Sequence, residues 1–316
     1  MRILSEAEVH EHLDPVGLIS DLESAFRDRF PDFLIPTRLH FDLADGVFLV
    51  MPCCDRSGKA LGMKLVKVQS DAQCSDDRVH ATFLLLDPRT GSPRLQMPAT
   101  YLTQVRTAAT SILATKLLAR EDVTTLGMFG AGRQARAHLR LLRKVRNFTR
   151  VLVCALDPVR TRAFAGQMSN EVDLPVEPCD ADTCAASADV LCTCTTSSTP
   201  LFDGNLLRPG THLNLVGTFQ PHAREVDSVT VKRSAIAVDT YDGALAEAGD
   251  LLIPINEGVI SRDHIRWDLH ELTKNTPSAR THRDQITLFK SVGTAFEDLV
   301  AAEQIEKSLK SKSNQT

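Results

Sequence analysis

The sequence lacks three features that would place the chain in a specialised class. Its 36 lysine and arginine residues are outnumbered by 40 acidic residues, so the formal net charge is −4 and no basic field for nucleic acid is expected. No apolar run is long enough to span a membrane, and no charged-then-apolar leader opens the chain. We therefore expect a cytoplasmic protein with neither a nucleic-acid nor a membrane partner.

The eight cysteines include no paired C-x-x-C motif, which argues against a metal site or a disulfide framework. They are scattered along the chain as Cys53, Cys54, Cys74, Cys154, Cys179, Cys184, Cys192 and Cys194. Several lie in apolar, strand-like stretches, where a free cysteine behaves as a small hydrophobic residue. We expect reduced thiols and no metal ion, in keeping with a cytoplasmic location.

Length and composition fit a globular protein of two domains. The 316 residues, 43% hydrophobic and 24% charged, allow each domain to bury its own core. Helical patterns open the chain and are followed by strand patterns at 37–41, 47–52, 61–68, 79–86 and 93–97. These strands predict an antiparallel meander. A helix over 107–118, with Arg106 at its start, then leads out of it.

Beyond residue 118, short apolar strands alternate with helices. The predicted strands are 124–129, 150–156, 176–178, 188–194, 212–216 and 235–239. Alternation with short crossovers predicts a parallel, doubly wound sheet, and an apolar helix from Val292 onward returns to the first domain. The fold class is therefore α/β, with a Rossmann-type doubly wound domain at 119–293 and an α+β domain with an antiparallel sheet at 1–118 and 294–316.

The most informative motif is a Gly-x-Gly-x-x-Ala turn between a strand and a helix. It comprises Gly130, Ala131, Gly132, Arg133, Gln134 and Ala135. This arrangement binds a dinucleotide pyrophosphate: Gly130 supplies the turn, Gly132 leaves room for the phosphates, and Ala135 lets the helix pack close to the strand. Taken alone, the pattern also fits a structural tight turn. A second strand one βαβ unit later favours the dinucleotide.

The acidic residue after that second strand bears on the choice of cofactor. Asp157 can accept hydrogen bonds from ribose hydroxyls and repel a 2′-phosphate, which favours NAD(H). Arg133, Arg160 and Arg162 are close enough in sequence to offer a phosphate site. NADP(H) therefore stays possible.

Three cationic residues of the first domain, Arg38, Lys64 and Arg106, are candidates for substrate binding. Lys64 interrupts an apolar strand, where a charge is costly unless it meets an anion or faces a cleft. Lys67 lies on the opposite face of that strand. Two guanidinium groups and an ammonium suit a carboxylate-bearing substrate. Taken alone, each of the three also fits a surface charge or an ion pair.

The histidines carry less information. For His80, within a predicted strand, we expect a hydrogen-bonded structural role, and for His138 a surface or packing role. For His222, the wall of a pocket and exposure to solvent are equally compatible with the sequence.

The motifs resemble those of the ornithine cyclodeaminase and mu-crystallin family. The matching segments are Pro36-Thr37-Arg38, Gly62-Met63-Lys64-Leu65-Val66, Arg106-Thr107-Ala108-Ala109, Gly130-Ala131-Gly132-Arg133-Gln134-Ala135, Ala188-Asp189-Val190, Ala248-Gly249-Asp250 and Lys290-Ser291-Val292-Gly293. They cover nearly the whole chain in the family's order. Their combination is specific, although no single segment is.

This resemblance implies an enzyme that binds NAD(H) or NADP(H) and forms a homodimer through the antiparallel sheet of the first domain. It implies that Arg38 and Arg106 hold the substrate carboxylate, and that Lys64 is the active-site lysine, close to the carboxylate and the reacting carbon. It also implies that further cofactor contacts come from Thr107, Thr195, Ser291 and Gly293.

One departure from the family pattern bears on the reaction. True cyclodeaminases carry an aspartate soon after the strand at 212–216, and this position falls on Phe219, which can take no proton. The first expectation is therefore a reductase of a small cyclic imino acid such as Δ1-pyrroline-2-carboxylate or Δ1-piperideine-2-carboxylate. An ornithine cyclodeaminase or amino-acid dehydrogenase is the alternative. A non-catalytic, crystallin-like NAD(P)H-binding protein is the third possibility.

Overall fold

The computed structural model describes residues 1–69, 79–274 and 279–313, and it divides the chain into two compact units. Unit 1 comprises 1–110 and 293–316, and unit 2 comprises 111–292. The first boundary therefore falls inside a helix rather than at its end, where the sequence pattern puts it. In the part of the chain that is described, no helix is both long and apolar enough to cross a membrane.

In the described part of the chain up to residue 118, there are three α-helices and seven strands. They are β1 (Arg2–Ile3), α1 (Glu6–His12), α2 (Gly17–Asp28), β2 (Phe33–Leu34), β3 (Leu39–Leu43), β4 (Gly46–Asp55), β5 (Leu61–Gln69), β6 (Val79–Leu86), β7 (Pro93–Pro98) and α3 (Thr100–Leu118). Ser5 and Glu8 form a capping box that begins α1. α3 begins seven residues before the helix predicted at 107–118, because packing overrides the strand preference of its aromatic and β-branched first turns.

The sheet of unit 1 has the order β1-β7-β6-β5-β4-β2, and β3 also pairs with β4. The predicted antiparallel meander is confirmed, since β3 to β7 pair in succession with antiparallel register. β1 adds a parallel pairing with β7 that the sequence did not predict, so the sheet is mixed. Alternation along β5 buries Gly62, Lys64 and Val66 on one face.

The remaining elements before residue 292 belong to unit 2. They are β8 (Thr125–Phe129), α4 (Arg133–Val145), β9 (Arg150–Cys154), α5 (Pro158–Val172), β10 (Val176–Pro178), α6 (Ala181–Ser187), β11 (Val190–Thr193), β12 (His212–Leu215), α7 (Ser228–Arg233), β13 (Ser234–Val238), α8 (Tyr241–Glu247), α9 (Gly249–Asn256), β14 (Ile265–Asp268), α10 (Leu269–Lys274) and β15 (Ile286–Lys290). The chain then returns to unit 1 in α11 (Ala295–Ser313).

The sheet of unit 2 is parallel throughout, with the order β10-β9-β8-β11-β12-β15-β13-β14. The predicted doubly wound Rossmann-type sheet is confirmed. The order reverses between β8 and β11, which is where such sheets bind their ligands. β14 and β15 were not predicted, and β15 inserts between β12 and β13.

α11 is held against the sheet of unit 1 by aromatic and glycine contacts. The buried ring of Phe296 packs edge-on against Phe26 and Phe33, at centroid distances of 5.1 and 4.9 Å. At Gly62 of β5, an added Cβ would lie 3.0 Å from a Leu299 methyl and 2.5 Å from the Phe83 ring. The first turn of α11 therefore lies close to β5, beside Lys64.

The seven cysteines in the described ranges are free thiols. Three of them, Cys53, Cys184 and Cys192, are buried. Cys74 lies outside the described residues.

Candidate functional site

The glycine turn of unit 2 has the geometry that the motif predicts. β8 ends at Phe129, and Gly130 follows with a φ of 104°, a conformation that favours glycine. An added Cβ on Gly130 would lie 2.5 Å from the Cys194 carbonyl oxygen, and its N–H donates to the Cys154 carbonyl at 2.8 Å. The turn is therefore fixed against the ends of β9 and β11.

The next residues form the N-terminus of α4. Gly132 is the N-cap, the helix has no side-chain cap, and no atom of the described residues lies within 4 Å of where its Cβ would be. Arg133 and Gln134 occupy the first two helical positions, and Ala135 is buried. An uncapped helix N-terminus beside an open glycine offers free N–H groups to an anion.

Asp157 follows β9 and caps α5. Its carboxylate accepts hydrogen bonds from the N–H groups of Val159 and Arg160 at 2.8 and 3.3 Å. The side chain is exposed. Asp157 thus lies at the carboxyl end of the strand next to β8, where the sequence pattern puts it.

Two other predicted cofactor residues of unit 2 are anchored by buried carboxylates. Thr195, which follows β11, donates its N–H and Oγ1–H to Glu225 at 2.9 and 2.7 Å. Ser291, which follows β15, donates its Oγ–H to Asp239 at 3.1 Å. Both therefore lie at the carboxyl ends of the parallel strands, at the same edge of the sheet as the glycine turn.

In unit 1, Lys64 lies in a buried ion pair. Its side chain is 2% exposed, and its Nζ is 2.7 Å from Asp298 Oδ2 and 2.9 Å from Asp298 Oδ1. Asp298 lies in the first turn of α11 and is fully buried. The predicted charge inside the apolar strand is confirmed, and the anion that it meets belongs to this chain. Lys67, on the other face, pairs with the exposed Asp45.

Arg106 joins the same cluster from α3. Its Nε donates to Asp298 at 2.9 Å, and its Nη1 donates to the buried Glu297 at 2.6 Å. Two buried cations and two buried carboxylates therefore share one region of unit 1. Such a cluster holds the geometry of each side chain, because separating any pair leaves an uncompensated buried charge.

Arg38 reaches this region through Gly293, which lies two residues before α11. Its Nη2 donates to the Gly293 carbonyl at 2.8 Å. Gly293 has a φ of 81°, and an added Cβ would lie 2.6 Å from Arg106 Nη1. The structure therefore brings Arg38, Lys64, Arg106 and Gly293 together, whereas Thr107 is buried next to Arg106 on α3.

The pKa values follow from this arrangement. Burial and the nearby Arg106 lower the pKa of Lys64 to about 7, although Asp298 acts in the opposite direction. Burial opposes the charge of Asp298, but Arg106 and Lys64 outweigh it and lower the pKa of that carboxyl. Lys64 is thus able to exchange a proton near neutral pH, a property suited to general acid–base catalysis.

Sequence reasoning missed the carboxylates of both units. Glu297 and Asp298 lie in the first turn of a helix, where acidic residues ordinarily stabilise the helix dipole at the surface. Glu225 and Asp250 are buried in unit 2 as well. The family-like segment Ala248-Gly249-Asp250 pointed to Asp250, but it did not indicate which residues Asp250 contacts.

Of the three histidines considered from the sequence, His138 contacts a candidate cofactor residue. His138 is buried on α4, bonded to Gln134 O and Ser111 Oγ at 2.8 and 2.9 Å, so the packing role is confirmed. Burial lowers the pKa of His138 to about 4. His80 lies exposed on β6 opposite Lys67, and His222 lies exposed in a turn.

The parallel sheet with its order reversal, the glycine turn and the uncapped helix define unit 2 as a Rossmann-type dinucleotide-binding fold. A family model described as the ornithine cyclodeaminase/mu-crystallin family matches residues 1–313. The chain belongs to that family.

Named relatives cover almost the full length of the chain. A Δ1-pyrroline-2-carboxylate reductase of Colwellia psychrerythraea is 32% identical over 98% of this chain and 99% of its own. The structure of the Thermococcus litoralis Δ1-pyrroline-2-carboxylate reductase with NADH and L-proline has a TM-score of 0.94 and 34% identity, covering 99% of this chain and 98% of that one. An archaeal alanine dehydrogenase dimer with bound NAD has a TM-score of 0.90 and 27% identity, covering 98% and 96%.

Proposed function

We propose that the protein is an NAD(P)H-dependent reductase of a small cyclic imino acid, with Δ1-pyrroline-2-carboxylate and Δ1-piperideine-2-carboxylate as the candidate substrates. NAD(H) is the favoured cofactor. The observation that carries the proposal is the buried cluster of Lys64 and Arg106 with its two carboxylates. The relatives named as pyrroline-carboxylate reductases support it, as does the neighbour bound to NADH and L-proline.

The charge of the cluster suits a substrate with one carboxylate. Lys64, Arg106 and Arg38 carry three positive charges when Lys64 is protonated, and Glu297 and Asp298 carry two negative ones, so these five side chains sum to +1. A guanidinium binds a carboxylate through two parallel hydrogen bonds. Lys64, with its lowered pKa, would hold the substrate and donate a proton to the imine nitrogen during reduction.

The glycine turn fits the pyrophosphate of a dinucleotide. Gly132 has open space where a Cβ would stand, and no side chain caps the N-terminus of α4, so phosphate oxygens can approach its N–H groups. Asp157 would accept the adenosine ribose hydroxyls, which favours NAD(H) over NADP(H). When bound, the reduced cofactor supplies the hydride. The protein's residues supply binding, orientation and the proton.

Phe219 argues against ornithine cyclisation. Its ring packs against the apolar core of unit 2, and the segment from Gly217 to Ala223 contains no acidic residue. The next carboxylate along the chain, Glu225, is buried and accepts hydrogen bonds from Thr195 and Gly217. A base that could steer an attacking amine is therefore missing where the cyclodeaminases carry theirs.

The test is an assay with the purified protein. NADH or NADPH oxidation is followed at 340 nm with Δ1-pyrroline-2-carboxylate and Δ1-piperideine-2-carboxylate, and the amino-acid products are identified. Turnover with NADH supports the proposal. If neither cofactor is oxidised and ammonia is released from L-ornithine, the protein is a cyclodeaminase and the proposal is wrong. Tight binding of NADH without any turnover would favour a non-catalytic, crystallin-like protein.

Replacing Gly132 by alanine is expected to weaken NADH binding at least tenfold without loss of stability. The backbone of Gly132 is extended, with φ −99° and ψ −166°, and the added methyl meets no atom within 4 Å in the part of the chain that the structure describes. It would occupy the space that the phosphates need. NADH titration and thermal unfolding measure the two effects. Gly166→Ala, also without neighbours within 4 Å but on α5, is the matched control and should bind NADH normally.

We also propose a homodimer formed through β3 in unit 1. Leu39, Phe41 and Leu43 alternate along this strand and are 55%, 49% and 48% exposed, so these apolar side chains stay largely uncovered by the described part of the chain. The structural neighbour described as an alanine dehydrogenase dimer supports this assembly. Phe41→Glu should shift the sedimentation coefficient from dimer to monomer, whereas Val229→Glu on α7 should not. A wild-type monomer would contradict the proposal.

We further propose a cytoplasmic location. The seven described cysteines are free thiols, which is typical of a reducing compartment. Cell fractionation would test this.

A further inference from the structure

The carboxyl ends of three neighbouring strands of unit 2 are joined by buried charges. Glu225, Asp250 and Lys290 are each 0% exposed. They connect the segments that follow β11 and β12 with the end of β15, and these strands are adjacent in the sheet. Buried charges are costly unless fully bonded, so their contacts indicate what they hold.

Glu225 binds the segments after β11 and β12 at the same time. Its Oε1 accepts the N–H and Oγ1–H of Thr195 at 2.9 and 2.7 Å. Its Oε2 accepts the Thr193 Oγ1–H at 2.6 Å and the Gly217 N–H at 2.7 Å. An added Cβ on Gly217 would lie 2.2 Å from the Thr195 carbonyl oxygen. The two segments are thus in direct contact and share one carboxylate.

Asp250 and Lys290 fix Glu225 in turn. Asp250 Oδ1 accepts the N–H groups of Glu225 and Val226 at 2.6 and 3.2 Å. Lys290 Nζ is 2.8 Å from Asp250 Oδ2 and donates to the Thr218 carbonyl at 2.7 Å. These contacts give a structural role to the family-like segments at 248–250 and 290–293.

The backbone of the glycine turn is held by hydrogen bonds outside this network, since the Gly130 N–H donates to the Cys154 carbonyl. Cys194, against which Gly130 packs, is held by ordinary strand pairing, since its N–H donates to the Phe129 carbonyl at 2.8 Å. Glu225 bonds the residues on either side of Cys194, through the hydroxyl of Thr193 and through the N–H and hydroxyl of Thr195. The backbone of the pyrophosphate-binding turn therefore has its own hydrogen bonds, whereas the backbone N–H groups of Thr195 and Gly217 both depend on Glu225.

We propose that Glu225 is a positioning residue for the nicotinamide half of the bound dinucleotide, acting through Thr195 and the backbone at 217–218. The inference rests on the proposed function. In a doubly wound sheet the pyrophosphate lies on the first glycine turn, and the second mononucleotide lies over the strands beyond the switch point, here β11 and β12. A site holds its ligand well only when a second layer of contacts fixes the groups that touch it.

Glu225→Gln tests this role with little change in volume. The amide retains one oxygen acceptor and presents an NH2 group in place of the other, so either Thr195 or Gly217 loses the acceptor of its backbone N–H. In the full-length protein, we expect the dissociation constant of NADH to rise at least tenfold. We expect that of ADP, which lacks the nicotinamide half, to remain within twofold of wild type.

Asp189→Asn is the matched control. Asp189 also accepts two backbone N–H bonds, from Thr124 and Thr125 at 2.9 and 3.0 Å, but it lies at the amino ends of β8 and β11. Both variants should lower the melting temperature. Only Glu225→Gln should weaken the binding of NADH while leaving the binding of ADP unchanged.

Equal weakening of NADH and ADP by Glu225→Gln, or unchanged NADH binding, would overturn the inference. If Glu225→Gln does not fold, Thr193→Val is the second test, because it removes a single donor to Glu225. It should raise the NADH dissociation constant at least threefold and leave that of ADP unchanged. An unchanged NADH dissociation constant would overturn the inference. A wild-type protein that binds NADH but reduces no imino acid would refute the proposed reaction. The two dissociation constants would still decide the role of Glu225.

Discussion

Replacing Lys64 by methionine is expected to lower kcat/KM for imino-acid reduction by about 10²- to 10⁴-fold, the usual contribution of a general acid. The substitution removes an ammonium that is buried and has a pKa of about 7. Methionine fills most of the same volume. Asp298 keeps its hydrogen bond from Arg106 Nε at 2.9 Å, so the cluster retains an ion pair and the fold should survive. Steady-state kinetics at saturating NADH measure the effect.

Lys67→Met is the control for this prediction. Lys67 lies on the same strand but on its other face, paired with Asp45, so its loss should leave kcat/KM within twofold of wild type. NADH affinity should be unchanged in both variants, because the proposed cofactor turn belongs to unit 2. Full activity of the Lys64→Met enzyme would contradict the prediction and leave Lys64 only a structural role as the partner of Asp298.

The sequence predicts those parts of the fold that local patterns encode. Period-two alternation in 61–68 and 79–86 predicts the meander, and the Gly130 turn between an apolar run and a helix predicts the first βαβ unit. The sequence did not predict strand β15, because Ile286–Lys290 is a short apolar run that ends in a lysine and comes after a polar stretch. Its place between β12 and β13 depends on a crossover that no local signal encodes.

The same distinction applies to the candidate site. Lys64 could be identified because a charge in an apolar strand contradicts its surroundings. Asp298 could not, since an acid in the first turn of a helix is ordinary. Tertiary packing places that turn against β5, where the missing side chain of Gly62 leaves room for Leu299. Sequence thus predicts the cations but not Asp298 and Glu297, the carboxylates that pair with them.

Replacing Asp298 by asparagine is expected to lower the free energy of unfolding at pH 7 by about 3–5 kcal/mol, as for other buried ion pairs that lose one partner. Asp298 is fully buried and contacts both Lys64 and Arg106. With asparagine in its place, Arg106 keeps its pair with Glu297, and Lys64 loses its buried anion. The pKa of Asp298 is lowered in the folded protein. The stabilising effect of its carboxylate is therefore fully present at pH 7 and is lost only in acid. Urea unfolding measures the difference.

Two further variants isolate the ion pair. Glu303→Gln also changes a carboxylate of α11, but its pair with Arg29 is 28% and 39% exposed, so it should cost less than about 1 kcal/mol. The double variant Lys64→Met/Asp298→Asn removes both charges and should be more stable than Asp298→Asn alone. If the two single effects simply add, Lys64 and Asp298 do not interact as the structure indicates.

Asp298→Asn also provides the test of proton donation by Lys64. If the ammonium form is required, kcat/KM of the wild-type enzyme falls as pH rises through about 7, the pKa of Lys64 in the free enzyme. Asp298 is the charge that raises this pKa. Its removal disfavours the ammonium, so the alkaline limb of the profile should move to lower pH in the variant. A limb that stays at the same pH in both enzymes belongs to the substrate imine or to another group, and Lys64 would then not be the proton donor.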